Sequence, residues 1–337
     1  MIDNFIVKSY FNYSGYLFRI FPGLLSFILP KTIVVEASNM CMLKCPACAT
    51  VNSAQREKGL MTFELFTSIV DSIDWKLKRI NFSYAGEPFV NPDLFKMVEY
   101  VAGKGIDSIV ETNGMLLEDR VEDILSCGLS KLNIAFDGTD QEMASKYRQG
   151  LNFDKVVSGV RRLMQERKVR DSKTPEIHLQ FIVMKHNQGS IDAAISMAEE
   201  FGVDFIDFKS MILSGGSGLN AGEKDKFASD FLPDECEYLR YERNNGHWQM
   251  KRSRQGFCPH ILSDTVVTWN GDVTVCTMDV EGKFVVGNIV KEPLRRIWKS
   301  SKYLRLRKQI LSRKLTECRE CGYLLSDFKA VRIKEGL

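Results

Sequence analysis

From residue 33 onward, apolar and polar positions alternate between two textures. Short β-rich runs fall at residues 33–37, 80–84, 106–110, 131–136, 177–183 and 203–208. Between them, apolar residues recur at helical spacing. In 62–75 they are Leu65, Phe66, Ile69, Val70 and Ile73, opened by Thr62 as an N-cap. In 92–104, which starts on Pro92, they are Leu94, Phe95, Val98 and Val101. In 153–164 they are Phe153, Val156, Val157, Val160 and Leu163, and in 188–201 Ile191, Ile195, Ala198 and Phe201. Strand-then-helix, six times over, predicts an α/β fold with a parallel sheet. The strands are nearly continuously apolar or alternate in a buried way, as a parallel sheet requires.

The rhythm stops near Leu213. Ser214-Gly215-Gly216-Ser217-Gly218 reads as a flexible stretch, and residues 219–255 are polar without a clear period. A second block runs from Cys258 to about Phe328. It predicts a β-hairpin, 265–269 and 272–276, turning on Asn270-Gly271. One helix is expected over 293–311. The expected organisation is therefore 1–32, 33–213, 214–257 and 258–337.

Residues 4–30 are rich in Phe, Tyr, Leu and Ile, but Lys8, Arg19 and Pro22 interrupt them. A spanning helix needs about 20 apolar residues, so no transmembrane segment is expected. No small-residue cleavage site follows, which argues against a signal peptide. Two readings stay open for this hydrophobic helical segment: it packs on the main domain, or it makes peripheral contact with a membrane surface or a partner.

The chain has 337 residues, 44% of them hydrophobic, enough for one large α/β domain and a smaller one. Its net charge of +3 is spread over interleaved acids and bases, so nothing calls for nucleic acid. The basic run from Arg295 to Lys314 reads as a solvated helix face. The nine cysteines change the picture. They fall in tight groups, Cys41/Cys45/Cys48 and Cys318/Cys321, which suit metal ligands better than disulfides. A reducing cytoplasm is the expected compartment.

Cys41, Cys45 and Cys48 directly follow the first strand. Three thiolates on one loop can cap three corners of a cubane iron–sulfur cluster and leave one iron open for a substrate or cofactor. Zinc is the competitor, but a structural zinc site usually has four protein ligands. Cys-x3-Cys-x2-Cys in this place resembles the radical S-adenosylmethionine enzymes, and the likeness covers residues 33 to about 213. The resemblance implies a partial (β/α)6 barrel. It also implies that the open iron chelates S-adenosylmethionine, whose reductive cleavage yields a 5′-deoxyadenosyl radical that takes a hydrogen atom from the substrate. A flavodoxin- or ferredoxin-like electron donor goes with that chemistry. Further positions match family elements. Gly86-Glu87-Pro88 resembles the motif that contacts the methionyl amino group, Thr112 and Asn113 match cofactor-lining positions, and Asp137 matches a polar residue near the ribose. Each ends a successive strand, where parallel barrels bind ligands; each alone is also an ordinary turn sequence. One departure is Ala47, where the family often has an aromatic beside the adenine, so that packing is expected from elsewhere.

Cys258, Cys276, Cys318 and Cys321 make a second set. With Gly271 to Cys276 forming a Gly-x4-Cys element, it resembles the SPASM domain, an auxiliary-cluster module. That module in full has seven cysteines and two clusters. Here four are expected to hold one fully ligated four-iron cluster, so the resemblance implies two [4Fe-4S] clusters in all. Zinc suits four cysteines equally and stays open. A closed cluster is suited to carrying electrons.

Outside these sets, Cys127 reads as buried and inert. Cys236 stays open as a hydrogen-atom donor. His178, His186 and His247 read as structural, and His260 as a neighbour of the auxiliary set. Lys185 and Lys209 are candidate bases by position only. The expected activity is oxidation of a carbinol in a small sugar or aminocyclitol-like metabolite. The single auxiliary cluster and the want of an N-terminal leader-gripping module favour it. The rival is a peptide-modifying maturase that forms thioether or carbon–carbon links or epimerises a residue.

Overall fold

Six strands hydrogen-bond in parallel and in sequence order: β1 (Thr32–Val35), β2 (Arg79–Asn81), β3 (Asp107–Thr112), β4 (Lys131–Ala135), β5 (Glu176–Val183) and β6 (Phe205–Ser210). The computed structural model describes residues 28–52, 56–213, 219–251, 258, 260–319, 321 and 328–333. Besides a single turn at Ala49–Asn52, the α-helices between these strands are α1 (Phe63–Asp71), α2 (Leu94–Ala102), α3 (Val121–Ser126), α4 (Gln141–Tyr147), α5 (Phe153–Val169) and α6 (Ile191–Phe201). The six-fold strand–helix rhythm is thus present as a partial barrel.

The period-two alternation sorts each strand between two faces. Val110, Leu132, Ile134, Ile177, Leu179 and Ile206 are fully buried against the helices in one continuous core. Their helix partners keep helical spacing: α1 buries Phe66, Ile69 and Val70, and α5 buries Phe153, Val156, Val160 and Leu163. Each such side chain contributes about 1.5–3 kcal/mol. Thr62 caps α1 as expected, its Oγ1 accepting from Leu65 N at 3.2 Å. Asn152 caps α5 through Lys155 N at 3.0 Å.

Residues 219–251 are more ordered than their polarity suggests. They form α7 (Ala221–Phe231), opened by an Asn220/Glu223 capping box, and a hairpin of β7 (Tyr241–Asn244) and β8 (His247–Met250). The turn is Asn245-Gly246, both at positive φ. The same dipeptide marks the turn at Asn270-Gly271, but here Glu242 and Arg243 before the turn hide the strand alternation. Met184, Met211, Leu213, Phe227, Tyr241 and Met250 make a second apolar cluster beneath this segment.

The C-terminal block extends the same sheet. β9 (Asp264–Val267) runs parallel to β1, Thr32 opposite Asp264 and Val35 opposite Val267. β10 (Asp272–Thr274) returns antiparallel through the expected turn, with Gly271 at φ +85°, and β11 (Val285–Asn288) follows. The expected single helix over 293–311 is two, α8 (Leu294–Lys299) and α9 (Ser301–Leu311). Ser300 breaks it: its backbone is extended and its Oγ accepts from Tyr303 N at 3.2 Å, so it caps the second helix. The break folds α9 back so that Arg307 is fully buried, its guanidinium carbon 3.5 Å from the Trp298 ring and 4.0 Å from the Tyr303 ring. β12 (Phe328–Arg332) pairs antiparallel with β6 and completes ten strands.

No helix among the described residues is long and apolar enough to cross a membrane. Residues 4–27 of the hydrophobic N-terminal segment, and residues 214–218, lie outside the described residues. Ile28 and Pro30 are held through their carbonyls by the Trp298 and Trp75 indoles, at 2.6 and 2.7 Å.

One polar seam joins the C-terminal block to the barrel. Glu36, just past β1 and 0% exposed, takes a two-pronged ion pair from Arg56 and the Trp269 amide at 3.2 Å. Arg56 also donates to Val280 O at 3.1 Å, and the Tyr84 hydroxyl to Asp279 O. Removing one partner of a buried pair strands the other charge. Arg56→Ala is therefore expected to destabilise the protein by about 3–5 kcal/mol, read as a lowered denaturation midpoint. An unchanged midpoint would mean that the seam carries no weight.

Candidate functional site

The loop after β1 carries Cys41, Cys45 and Cys48 and is braced on both sides. Asn39 holds the 57–59 backbone through Nδ2 to Glu57 O at 2.7 Å and Gly59 N to Oδ1 at 2.8 Å. On the other side, Lys44 N donates to Gln149 O at 2.9 Å. Within the loop, Cys48 N donates to Cys45 O at 3.1 Å and Leu43 N to Cys41 Sγ at 3.4 Å. Cys45 is buried and the other two half-buried. The structure brings the three thiols within electrostatic reach of one another.

Gly86, Glu87 and Pro88 follow β2 and meet this loop. Glu87 N donates to Met40 O at 2.7 Å, and Gly86 N to Thr50 Oγ1 at 2.9 Å. The Glu87 carboxylate, 2% exposed, accepts from Thr112 Oγ1 at 2.7 Å, Phe89 N at 3.2 Å and Asn113 N at 2.7 Å. Burial pushes its pKa up, against those three donors. A carboxylate has about four lone-pair sites, so one remains for a further donor such as an ammonium. Asn113 reaches back with Nδ2 to Cys41 Sγ at 3.6 Å and Met42 Sδ at 3.1 Å. Five of the six residues expected around the cofactor, Gly86, Glu87, Pro88, Thr112 and Asn113, thus form one connected patch beside the cysteine loop.

Asp137 ends β4, fully buried, with both oxygens taken. Oδ2 accepts from Arg148 Nε at 2.6 Å and Oδ1 from Ile182 N at 2.7 Å. Its partner Arg148 was not legible from the sequence, since nothing in Tyr147-Arg148-Gln149 marks a pairing across eleven positions. Burial alone would depress the Arg148 guanidinium; Asp137 and the Cys45 sulfur outweigh it and hold the group protonated.

Ala47 packs against the second apolar cluster, with Tyr147 and Phe231 at the same boundary. Phe227 and Phe231 stack at 4.5 Å, and Tyr147 stands edge-on to Phe231 at 5.9 Å. Aromatic surface absent at position 47 is thus present on α4 and α7.

Cys258, Cys276, Cys318 and Cys321 also converge: Cys276 feels the charges of Cys258 and Cys321, and Cys318 those of Cys321 and Cys258. Burial pushes the thiols of Cys45 and Cys258 up to about 11, that of Cys318 up to about 12, and those of Cys41 and Cys276 upward too. Iron loading must therefore displace protons from buried thiols. Among the described residues, no three Cys, His, Asp or Glu side chains close in as one metal ion needs. Thiolates around zinc stand about 3.8 Å apart, given a Zn–S bond of about 2.3 Å and a tetrahedral angle.

The remaining candidates separate. Cys127 is buried, with its thiol 3.6 Å from Ile124 O. Cys236 is half-buried at the edge of both apolar clusters. His260 pairs with Asp264 at 2.6 Å and His247 with Asp225 at 2.5 Å. Lys185 is exposed, with Nζ on Ser229 O at 3.5 Å, away from the inner wall. Lys209 lies on β6 in register with Ile182. His178 sits on the inner face, Nδ1 2.9 Å from Asp207 Oδ2 and Nε2 2.7 Å from Glu176 Oε1. The strand alternation that placed the core also marked this polar face, since Lys131/Asn133, Glu176/His178 and Asp207/Lys209 occupy the other phase.

Gly86 is the least replaceable backbone position of the patch. It sits at φ +72°, and a Cβ there would come within 2.5 Å of Ser38 O and 2.7 Å of Met40 O. Neither backbone atom can yield cheaply. Gly86→Ala is expected to displace Glu87 and weaken S-adenosylmethionine binding at least tenfold, measured by equilibrium binding to the iron-loaded protein. Unchanged affinity would separate the patch from the cofactor.

Residues 35–188 match the model of the Radical SAM superfamily, and residues 258–322 that of SPASM, an iron–sulfur cluster-binding domain. Among curated proteins, the AdoMet-dependent heme synthase of Methanosarcina barkeri (strain Fusaro / DSM 804) is 26% identical over 176 residues, 51% of this chain and 48% of that protein. The chain thus spans about half the length of that relative. BtrN, solved in complex with AdoMet and 2-DOIA, aligns with a TM-score of 0.55 at 19% identity, over 88% of this chain and 94% of BtrN. Streptococcus suis SuiB, bound to precursor peptide SuiA, aligns with a TM-score of 0.63 at 15% identity, over 91% and 73%. At such identities the shared property is the fold, a partial barrel with a small C-terminal domain. The two domains imply iron–sulfur clusters and S-adenosylmethionine. The chain is thus an enzyme that carries a radical SAM domain over residues 35–188 and a SPASM domain over residues 258–322.

Proposed function

We propose that this enzyme oxidises a carbinol of a small, donor-rich metabolite, a sugar or aminocyclitol, inside the barrel. The observation that carries the reading is the polar inner wall. Register places Glu111, Asn133 and His178 in one row across β3, β4 and β5, with Lys131 and Glu176 in the next. Asn133 Nδ2 donates to Glu111 Oε1 at 3.2 Å. Three buried acceptors, Asn81 Oδ1, Asn133 Oδ1 and Asp207 Oδ1, have no hydrogen-bond partner. An unpaired buried acceptor is costly, so a wall short of donors favours an occupant that brings hydroxyl or ammonium hydrogens.

In this reading Cys41, Cys45 and Cys48 hold a cluster with one open iron, and Cys258, Cys276, Cys318 and Cys321 hold a closed one. When bound, these groups and S-adenosylmethionine supply a 5′-deoxyadenosyl radical and an electron acceptor. Oxidising a carbinol to a carbonyl releases one hydrogen atom, one proton and one electron. Glu87 keeps an acceptor site for the methionyl ammonium, braced by Thr112 and Asn113. Gly86 lets the backbone approach, and Pro88 opens the turn that follows. Tyr147, Phe227 and Phe231 offer the apolar packing that Ala47 lacks. Asp137 marks the ribose side by its place at the end of β4, its own oxygens spent on Arg148 and the Ile182 amide. Glu111, half-buried near the end of β3, takes the proton at its carboxylate; Lys209 lies farther round the wall on β6.

A peptide substrate is the rival, since SuiB shares the fold. Its discriminator is the product: a modified peptide rather than a carbonyl compound. The wild-type chain is expected to bind about eight irons, four per cubane cluster. Replacing Cys41, Cys45 and Cys48 by Ala should remove about half of that iron and all reductive cleavage to 5′-deoxyadenosine; continued cleavage would refute the cluster assignment. Glu111→Gln should retain its iron while carbonyl product falls at least tenfold, and equal product would exclude Glu111 as the proton acceptor.

A further inference from the structure

The Arg148 guanidinium is tied to a single carboxylate oxygen. A paired arginine and carboxylate commonly meet through two parallel N–H···O bonds. Here Asp137 gives Oδ2 to Arg148 Nε at 2.6 Å and spends Oδ1 on Ile182 N at 2.7 Å. The Asp137 side chain is fully buried, so its position is set by the β4 and β5 backbone. Among the described residues Asp137 is the only hydrogen-bond acceptor of the Arg148 guanidinium, which bonds it through Nε, and the side chain stays 18% exposed.

The turn that carries Arg148 is packed on the cysteine loop. Gln149 O accepts from Lys44 N at 2.9 Å. A Cβ on Gly150 would lie 3.7 Å from Met42 O and 3.8 Å from Leu43 Cδ2. The 148–150 turn is therefore packed on the 42–45 segment, and among neighbouring charges Arg148 is the foremost one acting on Cys45. We infer that Arg148 is a positioning residue of the first cluster. It places a fixed positive charge against the Cys45 corner, stabilises the reduced cluster and raises its reduction potential. This rests on the reading that Cys41, Cys45 and Cys48 hold a cluster. Charge and hydrogen bonds around the ligand sulfurs are what set such potentials. Asp137, in this arrangement, is the anchor that aims the arginine.

The test is an anaerobic redox titration of the iron-loaded protein without S-adenosylmethionine, followed by electron paramagnetic resonance. The auxiliary cluster serves as internal reference. Arg148→Met should shift the first cluster's one-electron reduction equilibrium at least tenfold against reduction, equivalent to about 59 mV. Arg148→Lys should recover most of the shift, and the auxiliary midpoint should stay put. Arg148→Gln keeps a donor toward Asp137 without the charge and should match Met, which covers a Met variant that loads iron poorly. A first-cluster midpoint unchanged in the charge-free variants, an equal shift in Lys, or a joint shift of both clusters would overturn the inference. A wild-type protein with no first-cluster signal would instead sink the cluster reading on which it stands.

Discussion

The ends of three strands meet on one buried carboxylate. Glu87 takes its donors from Thr112 at the end of β3, from Asn113 just after it and from its own turn after β2, and its backbone holds Met40 in the loop after β1. A carboxylate removed from water is tolerable only when its lone pairs are used. Satisfying Glu87 therefore fixes where the cysteine loop, the Gly86 turn and Asn113 stand relative to one another. The Gly86 conformation makes the approach sterically open, and the half-buried thiols and Asn113 inherit their positions from it.

The parallel sheet gives the site its surroundings by sorting residues between its two faces. The outer face and the helices bury Val110, Leu132, Ile134 and their partners, which carry most of the stability. The inner face is polar instead: Asn133 is bonded to Glu111, and His178 joins Lys131 to Asp207, with acceptors left over. Proteins tolerate such incompletely satisfied groups mainly at functional sites. The three-cysteine set lies at the carboxyl ends of these strands, and the four-cysteine set lies beyond β9 on the far side of β1.

Much of this was legible in the chain. The helical spacing located α1, α2, α5 and α6, and Thr62 marked a cap that is formed. Asn270-Gly271 marked a turn that is formed. Local signals served because caps, turns and amphipathic faces are set by neighbours in sequence. What escaped depends on distance. Arg148 finds Asp137 across a helix, and β9 finds β1 more than two hundred positions away; no local pattern encodes either. The break at Ser300 was readable in principle, but the basic run around it keeps helical periodicity and conceals the cap. The hairpin at Asn245-Gly246 was hidden by its charged strands, which are paired only with each other.

The parallel pairing of β9 with β1 has a consequence for motion. Two cysteine sets on separate lobes could swing apart about a linker, as domains with small interfaces do. Here four residues of β1 are laddered to β2 on one side and to β9 on the other. A hinge between the sets would have to tear backbone hydrogen bonds in the middle of a ten-stranded sheet. The separation between the sets is consequently a property of strand register, insensitive to what the barrel holds. The two halves should therefore melt as one cooperative unit.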